Sequence, residues 1–370
     1  MNFEEVDSLV SQAILEGVFP GAAYAVGHAG KVVHRRAQGR HTYCPESAAT
    51  TTDTIWDLAS VSKVVGTTSG AMVLYDQGKL DFDQPVSEIL PPFAQNDKAK
   101  ITIRNLLLHN SGLIAFRPYQ QKYKTPEDCL AAIYAEKLTY PTGSKMVYSD
   151  LGMIVFGKII EALSGRTFTA FLNEQIFQPL GMSTTLYNPV AQLRLLCAPT
   201  EPIEPWRQEL RRLRGTDTEE VRKLERQPDG TNWIQGEVHD PNSELLAGVA
   251  GHAGLFSDLS DLCKFMTMML QPNNDLIKRA TVEMFIKRQT EQSSRALGWD
   301  TKEEKSSAGK FFSMKSFGHT GYTGTSVWGD PENNAFAILL TNRVHPTSEN
   351  TKIIAFRPKF HDAIYRTLHE

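Results

Sequence analysis

A serine and a lysine three residues apart, Ser60 and Lys63 in W-D-L-A-S-V-S-K-V-V-G, could act together in acyl transfer. A serine hydroxyl is unreactive at neutral pH unless a neighbouring base takes its proton. A lysine can be that base when burial or nearby groups make its neutral form accessible. The spacing alone is not specific, because Ser307 and Lys310 repeat it. That second pair follows the polar run K-E-E-K-S and is not at the start of a predicted helix.

The segment around Ser60 is predicted to change from extended chain to helix at the serine. Asp57 and Ser60 are both plausible helix caps, and the apolar positions that follow keep helical spacing through Tyr75. Lys63 then lies one turn after Ser60 on the same helix face. The free N–H groups at the helix start, including that of Ser60, could stabilise an oxyanion.

Strands are predicted at both ends of the chain and helices between them. Two pairs of β-prone segments flank turns at 28–30 and 331–334, and each pair predicts a hairpin. Helical spacing of apolar residues predicts an amphipathic first helix and a last helix from about Pro358. The same spacing predicts four helices in the middle of the chain, over residues 103–108, 151–163, 168–180 and 259–270.

This order of elements predicts an α+β fold of the α/β sandwich type. An antiparallel sheet from both chain ends would be flanked by helices, with a mainly helical region inserted into it. Residues 1–60 and 290–370 are expected to form the sheet region, and 61–289 the helical region. Within the latter, residues 203–230 are dense in both charge signs. We favour a solvated pair of short helices there, with a lid or partner-binding arm as the functional alternative.

The composition limits the function classes. The chain has 370 residues, of which 41% are apolar and 22% charged, and its formal net charge is −3. A chain without an excess of Lys and Arg is not expected to bind nucleic acid electrostatically. No apolar run is long enough for a membrane span. The acidic start lacks the pattern of a secretory signal, which predicts a cytoplasmic location, although an exported protein without its leader would look the same.

The cysteines and histidines do not indicate a metal site. Cys44, Cys129, Cys197 and Cys263 are far apart and predict free, mostly buried thiols rather than disulfides or zinc ligands. A catalytic cysteine stays open in principle, because its histidine partner need not be close in sequence, but no cysteine has distinctive surroundings. H-E-x-x-H is absent, so we expect no metal and no cofactor. G-x-S-x-G is absent too, which disfavours an α/β-hydrolase.

Several motifs, in sequence order, resemble the class C β-lactamase and penicillin-binding protein family. This group includes family VIII carboxylesterases and D-alanyl-D-alanine peptidases. The motifs cover the chain from about residue 15 onward and are S-V-S-K, G-K-L-D-F-D-Q-P-V-S-E-I-L-P, I-T-I-R-N-L-L-L-H-N-S-G-L, Y-S-D-L-G-M-I-V-F-G-K, I-F-Q-P-L-G-M and F-G-H-T-G-Y-T-G-T. The resemblance implies a β-lactamase/transpeptidase-like fold.

The resemblance also implies roles for individual residues. Ser60 matches the acylated nucleophile, Lys63 its hydrogen-bonded partner, and Tyr148 a tyrosine that moves the proton between serine and leaving group. The sequence His319-Thr320-Gly321 matches the strand that lines the substrate, where many members carry K-T-G. The N–H of the next residue, Tyr322, would complete an oxyanion hole with that of Ser60.

Three polar positions add detail. Asp150 stands where the family usually has asparagine, and a carboxylate there would favour the ammonium form of Lys63 and shift the role of base toward Tyr148. It would also disfavour acyl groups that need an amide donor, and with them strong β-lactam hydrolysis. His239 and His252 lie in V-H-D-P-N and G-H-A-G-L-F-S, which recur in one branch of the family. They are interpreted as loop-holding residues, with catalysis as the alternative.

The sequence therefore predicts a serine hydrolase that works through an acyl-enzyme on ester or amide bonds. Small esters, muropeptides or D-alanyl peptides, and β-lactams are all candidate substrates. The expected partner is a small-molecule ester, amide or peptide, with no nucleic acid and no membrane span, and the oligomeric state stays open. The alternative is a catalytically silent binding or scaffold protein of the same fold.

Overall fold

The computed structural model describes residues 1–219, 221–222, 232–271, 276–291 and 293–370. A six-stranded antiparallel sheet has the strand order β2-β1-β9-β8-β7-β6, and a three-stranded sheet has the order β3-β5-β4. The strands are β1 (Gly21–His28), β2 (Lys31–Gly39), β3 (Trp56–Asp57), β4 (Leu186–Tyr187), β5 (Leu255–Ser257), β6 (Asp300–Thr301), β7 (Phe317–Thr320), β8 (Ser326–Asp330) and β9 (Ala335–Thr341). Because β1 pairs with β9, the large sheet joins the two ends of the chain. The predicted α+β fold is confirmed.

Most helices lie between β2 and β6 in chain order. The α-helices are α1 (Glu4–Leu15), α2 (Ser69–Asp76), α3 (Val86–Ile89), α4 (Ile103–Leu107), α5 (Pro126–Tyr134), α6 (Asp150–Ser164), α7 (Phe168–Leu172), α8 (Ala191–Arg194), α9 (Pro205–Arg214), α10 (Pro241–Leu245), α11 (Leu259–Leu270), α12 (Arg279–Ile286) and α13 (Ile353–His369). Short 3₁₀ turns cover Ala59–Val61, Pro91–Ala94 and Tyr119–Gln121, and π-helical turns cover Lys63–Thr68 and Asn173–Phe177.

Both predicted hairpins are present. β1 and β2 are joined through Ala29 and Gly30, whose φ angles of 50° and 77° are those of a tight primed turn. β8 and β9 are joined through residues 331–334. The first helix also forms as predicted, and it buries Val6, Val10 and Ala13.

Strand β1 is buried on both faces, because helices cover the sheet on each side. Ala22, Tyr24 and Val26 pack in a core shared with α1 and α13, whereas Ala23 and Ala25 pack in the larger core that includes α11. Side chains of a strand alternate between its faces, so the run of small and apolar residues in β1 reflects two helical layers rather than one.

The small sheet brings the segment before Ser60 into the interior. Trp56 of β3 pairs with Ser257 of β5, and Asp57 pairs with Phe256. The chain then enters the 3₁₀ turn that contains Ser60 and continues through the π-helical turn into α2. The segment that contains Ser60 is thus anchored to β5 before its helix begins.

The last helix begins earlier than predicted. It starts at Ile353, and Pro358 lies inside it rather than at its start. Ile353 and Phe356 are both buried in the core shared with α1, so packing extends the helix across the proline. Proline marks a helix start only by propensity, which tertiary contacts can override.

The interpretation of residues 203–230 as a solvated pair of helices is wrong for α9. Arg207 and Arg211 are 0% and 2% exposed. The Arg211 Nη2 lies 2.6 Å from Glu237 Oε2, and the Arg207 Nη1 lies 3.2 Å from Glu244 Oε2. Arg207 and Arg211 therefore belong to a buried ion-pair network on one face of α9, whereas Arg212 is exposed, and a mixed-charge sequence does not distinguish the two faces. Residues 220 and 223–230 of this segment lie outside the described residues.

Two further sequence predictions concern membranes and cysteines. Among the described residues, no helix is both long and apolar enough to cross a bilayer. All four cysteines are free thiols, and Cys129, Cys197 and Cys263 are buried.

Candidate active site

Ser60 lies in the 3₁₀ turn that follows β3. The backbone before it is tightly turned, because Ala59 has a left-handed φ of 46°. The prediction that Asp57 caps the helix is wrong, because Leu58 occupies the N-cap without a side-chain capping bond; Asp57 Oδ1 instead accepts the N–H of Ala59 at 2.8 Å. Ser60 itself does not cap the helix, because no capping bond from its side chain to the backbone is present in the described turn. Its hydroxyl is instead bonded to Lys63.

Lys63 is the centre of the site. Its side chain is 0% exposed, and its Nζ lies 2.8 Å from Ser60 Oγ and 2.8 Å from Asp150 Oδ1. The Nζ also donates to the carbonyl oxygen of His252 at 3.0 Å. The contact with Asp150 is an ion pair without a well-aligned hydrogen bond. Three oxygens therefore surround one buried ammonium group, and one of them belongs to the candidate nucleophile.

The loop at residues 251–255 holds the helix that carries Lys63. Thr67 donates its hydroxyl to the carbonyl of Gly251 at 2.6 Å, and the N–H of Leu255 donates to Ser62 Oγ at 3.1 Å. These bonds flank the contact between Lys63 and His252. They fix the π-helical turn, a type of helix irregularity that is common at functional sites.

Asp150 determines the charge state of Lys63. It occupies the first turn of α6, after Ser149 caps that helix, and a carboxylate is favourable at a helix N-terminus. Burial alone would lower the pKa of Lys63, but the carboxylate of Asp150, together with Tyr148, raises it above the ordinary value. Lys63 is therefore an ammonium group at neutral pH in the resting site.

Replacement of Asp150 by asparagine is expected to lower the pKa of Lys63, because burial then acts without the opposing carboxylate. The rising, alkaline-going limb of the acylation rate against pH should move to lower pH by about one unit, the usual effect of a close opposite charge. The new amide is also expected to favour a β-lactam with an amide side chain over a simple ester. Second-order acylation rates for both substrates, from about pH 5 to 10, measure both effects.

A matched control is Asp83→Asn, which removes an exposed carboxylate that pairs with Arg104. The control should leave the pH profile unchanged. An unmoved profile and an unchanged substrate ratio in Asp150→Asn would contradict the electrostatic role of Asp150.

Tyr148 lies between two cations and two imidazoles. The Lys63 Nζ and the Arg295 guanidinium carbon are each 4.9 Å from its ring centre. The rings of His109 and His319 lie 4.7 and 5.7 Å from it. The Tyr148 hydroxyl is buried and has no well-aligned hydrogen bond within the described residues. Tyr148 contributes to the raised pKa of Lys63, so the two groups interact directly.

Both imidazoles beside Tyr148 are neutral at pH 7. Burial, together with the charges of Arg295 and Lys63, holds the pKa values of His109 and His319 well below their usual range. His319 thus provides an uncharged ring where many family members have lysine. Arg295 provides a cation at this place instead, since its Nη1 lies 3.4 Å from His319 Nε2.

The segment after β7 approaches the turn that contains Ser60 closely. A Cβ added to Gly321 would lie 2.5 Å from the carbonyl oxygen of Leu58, so glycine is required there. Thr325 donates its hydroxyl to the same oxygen at 2.9 Å. Tyr322 follows Gly321, and within the described chain no acceptor is bonded to its N–H. That N–H is available to a bound substrate.

A cleft of about 500 Å³ opens beside Ser60. Among the residues predicted from the sequence, it is lined by Ser60, Tyr148, His319, Thr320, Gly321 and Tyr322. Sequence reasoning missed the other lining residues, among them three arginines, Arg295, Arg343 and Arg357. No motif marks these arginines, because they come from the segment before β6, the segment after β9 and α13, which only the fold brings together.

The arrangement of His239 and His252 favours their interpretation as loop-holding residues. The His252 Nε2 lies 2.7 Å from Asp240 Oδ1, and the His239 Nε2 lies 2.6 Å from Glu201 Oε2. His252 also supplies a carbonyl to Lys63, a backbone role that its side-chain type could not predict. In the described ranges, no group of three or more His, Cys, Asp or Glu side chains could hold a metal ion.

Comparison with curated proteins identifies relatives over most of the chain. The chain is 32% identical to an N-acetylmuramyl-L-alanine amidase of Bacillus subtilis (strain 168) over 369 residues, which cover 92% of this chain and 81% of the relative. It is 30% identical to a protein of Escherichia coli (strain K12) whose name assigns it provisionally as a D-alanyl-D-alanine carboxypeptidase. That match covers 92% of this chain and 82% of the relative.

Solved structures share the fold. EstCE1, a hydrolase with promiscuous acyltransferase activity, matches with a TM-score of 0.75 and 22% identity over 98% of both chains. A penicillin-binding protein homologue from Caulobacter crescentus matches with a TM-score of 0.73 and 20% identity, over 99% of this chain and 97% of its own. The model of the Beta-lactamase family matches residues 6–357. The chain therefore belongs to the Beta-lactamase family.

Proposed function

We propose that the protein is a serine hydrolase that cleaves amide or ester bonds through an acyl-enzyme at Ser60. The observation that carries the proposal is the buried Nζ of Lys63, 2.8 Å from Ser60 Oγ at the edge of the cleft. A nucleophile within hydrogen-bond reach of a buried, proton-carrying group is the arrangement that acyl transfer requires. The hydrolase names of several relatives agree with it.

The reaction has two steps. Ser60 Oγ bonds to the substrate carbonyl carbon, and the N–H groups of Ser60 and Tyr322 stabilise the oxyanion. Lys63 must first lose its extra proton; its neutral Nζ then takes the Ser60 proton, which passes by way of Tyr148 to the leaving amine or alcohol. The bond to that group then breaks. Water attacks the acyl-enzyme by the reverse proton path and releases the acid, which regenerates Ser60.

The charge of the cleft favours a substrate that carries a carboxylate. Arg343 and Arg357 form no ion pair with an acidic side chain in the described part of the chain. Burial, together with the nearby Arg343, lowers the pKa of Arg357 to about 9. Both guanidinium groups donate to backbone carbonyls, Arg357 to that of Gly321 at 3.0 Å and Arg343 to that of Tyr322 at 2.7 Å. No carboxylate of the described residues neutralises their charge, so a bound anion would stabilise them. The cleft also contains Arg295, against a single acidic lining residue, Asp300.

We therefore propose muropeptide fragments and other peptides with free carboxylates as the preferred substrate class. The amidase relative supports the amide bond of N-acetylmuramyl-L-alanine, and the carboxypeptidase relative supports a D-alanyl-D-alanine bond. Simple esters are expected to be secondary substrates. β-Lactams are expected to be poor ones, because Asp150 removes the amide donor that asparagine supplies at this position in other members. A catalytically silent protein is the competing proposal.

Replacement of Arg295 by glutamine is expected to raise KM about tenfold for a peptide with a free C-terminal carboxylate. One lost charge-assisted hydrogen bond has this magnitude. The same peptide with an amidated C-terminus should show little change, because it lacks the charge. Arg279→Gln is the control, since Arg279 pairs with Glu283 on an exposed helix face. Equal KM changes for the free and amidated peptides would contradict an anion-binding role for Arg295.

The experiment that tests the proposed function is a hydrolysis panel. N-acetylmuramyl-L-alanine peptides, D-Ala-D-Ala peptides, a p-nitrophenyl ester and a penicillin are compared by kcat/KM, with Ser60→Ala as the blank. We expect the two carboxylate-bearing peptide classes to exceed the ester, and the penicillin to be slowest. Absence of turnover and of a covalent adduct across the whole panel would favour the silent binding protein.

A further inference from the structure

The strongest unassigned feature beside the site is a buried carboxylate, that of Asp57, three residues before Ser60. Asp57 is 4% exposed and has no ion pair within the described residues. Its two oxygens accept from two backbone N–H groups in different segments, Ala59 at 2.8 Å and His239 at 2.6 Å. Burial raises the pKa of the Asp57 carboxyl, and these two N–H groups oppose that effect.

The first of these bonds holds an unfavourable backbone conformation. Ala59 has a φ of 46°, in the left-handed region that residues with a Cβ rarely adopt. Such conformations persist only where the surroundings over-determine them, and they cluster at functional sites. Here the surroundings include Thr323, whose hydroxyl donates to the Asp57 carbonyl at 2.7 Å. The direction of the next N–H, that of Ser60, follows from the conformation of Ala59.

The second bond leads to the other oxyanion donor. The ring of His239 stacks on that of Tyr322, with ring centres 5.7 Å apart and planes inclined by 25°. Arg343 also holds Tyr322, because its Nε donates to the backbone carbonyl of Tyr322 at 2.7 Å. One carboxylate is therefore bonded both to the residue before Ser60 and to the residue that packs on Tyr322.

We propose that Asp57 is a positioning residue that sets the N–H groups of Ser60 and Tyr322 at the spacing an oxyanion requires. This role rests on the proposed function, because it presupposes acylation of Ser60. Asp57 does not touch the reacting atoms. It acts through Ala59 on one donor and through His239 on the other. A carboxylate suits this task because both of its oxygens accept, whereas an amide can accept with only one.

The test uses the full chain and a fluorophosphonate probe that reacts with activated serines. Asp57→Asn is expected to lower the maximal inactivation rate, kinact, about 100-fold, the usual effect of a misplaced oxyanion donor. The inhibition constant KI should stay within about threefold, because the probe still enters the same cleft. The kinact of Ala59→Gly is measured as the reference for a double variant, since glycine adopts a positive φ without steric cost.

The double variant separates positioning from general stability. With Ala59→Gly present, the loss caused by Asp57→Asn should shrink about tenfold, because the turn no longer needs the carboxylate to hold it. Asp258→Asn is the matched control. Asp258 is also a buried carboxylate that accepts a backbone N–H, that of Asp261 at 2.8 Å, at the start of a helix. Its replacement should lower the melting temperature without lowering kinact.

The outcomes are distinct. Absence of labelling at Ser60 in the unmodified protein would overturn both the proposed function and this role. Normal labelling there, with equal kinact in Asp57→Asn or with no recovery in the double variant, would overturn the positioning role alone. If Asp57→Asn does not fold, Thr323→Val decides the question, because it removes only the hydroxyl on the Asp57 carbonyl. It should lower kinact about fivefold at unchanged KI, and an unchanged kinact would overturn the proposal.

Discussion

Replacement of Ser60 by alanine is expected to abolish covalent labelling and to reduce turnover by roughly 10⁶-fold, the scale of loss when a serine nucleophile is removed. The folded state should be retained. The Ser60 hydroxyl bonds to Lys63, so its loss costs about 1 kcal/mol of unfolding free energy. Labelling by a fluorescent penicillin or fluorophosphonate measures the first effect, and thermal unfolding measures the second.

The second serine–lysine pair in the sequence provides the control. Ser307 accepts a hydrogen bond from the indole N–H of Trp328, and within the described residues it forms no hydrogen bond with the Lys310 side chain. Ser307→Ala is therefore expected to leave labelling and turnover unchanged. Labelling that persists in Ser60→Ala, or that disappears in Ser307→Ala, would contradict the assignment of the nucleophile.

Lys63→Met and Tyr148→Phe are each expected to lower turnover about 10³-fold, and the double variant should be less than tenfold worse than either. Residues that act as one unit in catalysis give such non-additive losses. The geometry supports a single unit, because Lys63 bonds to Ser60 and its Nζ lies 4.9 Å from the centre of the Tyr148 ring. Measurements of kcat/KM on one ester substrate for all four proteins test this expectation.

Another buried lysine provides the matched control for this pair. Lys98 is 0% exposed and donates its Nζ to a backbone carbonyl, that of Glu136. Lys98→Met should reduce stability without reducing kcat/KM. Losses that multiply cleanly between Lys63→Met and Tyr148→Phe would mean that the two residues do not share a proton path.

The elements that could be predicted from the sequence are those with strong local patterns. The first hairpin has a glycine turn between β-prone segments, and α1 places Val6 and Val10 at helical spacing, so both form as expected. The start of α13 was predicted wrongly, because Pro358 is a strong local signal and the burial of Ile353 is not visible locally. Local patterns report propensity, whereas element boundaries depend on tertiary packing.

In the candidate active site, too, the residues in local motifs could be predicted, whereas those placed by tertiary contacts could not. The structure brings Ser60, Lys63 and Asp150 into contact, and their motifs mark all three in the sequence. No motif marks Arg295 or the carbonyl of His252. Arg295 contacts Tyr148, and the His252 carbonyl accepts from Lys63, and in each case the two residues are far apart in the chain. The buried arginines of α9 were misjudged for a related reason. Their carboxylate partners lie outside the helix, so the sequence showed charge without showing burial.

The central claim is that Ser60 becomes acylated, and one measurement tests it most directly. The protein is mixed with an excess of an activated ester, quenched in acid within seconds, and analysed by intact mass and by mass mapping of its peptides. We predict a mass increase of one acyl group, located on the peptide that contains Ser60 and absent from Ser60→Ala. An adduct on another residue, such as Cys44, or ester turnover that persists in Ser60→Ala, would contradict the claim.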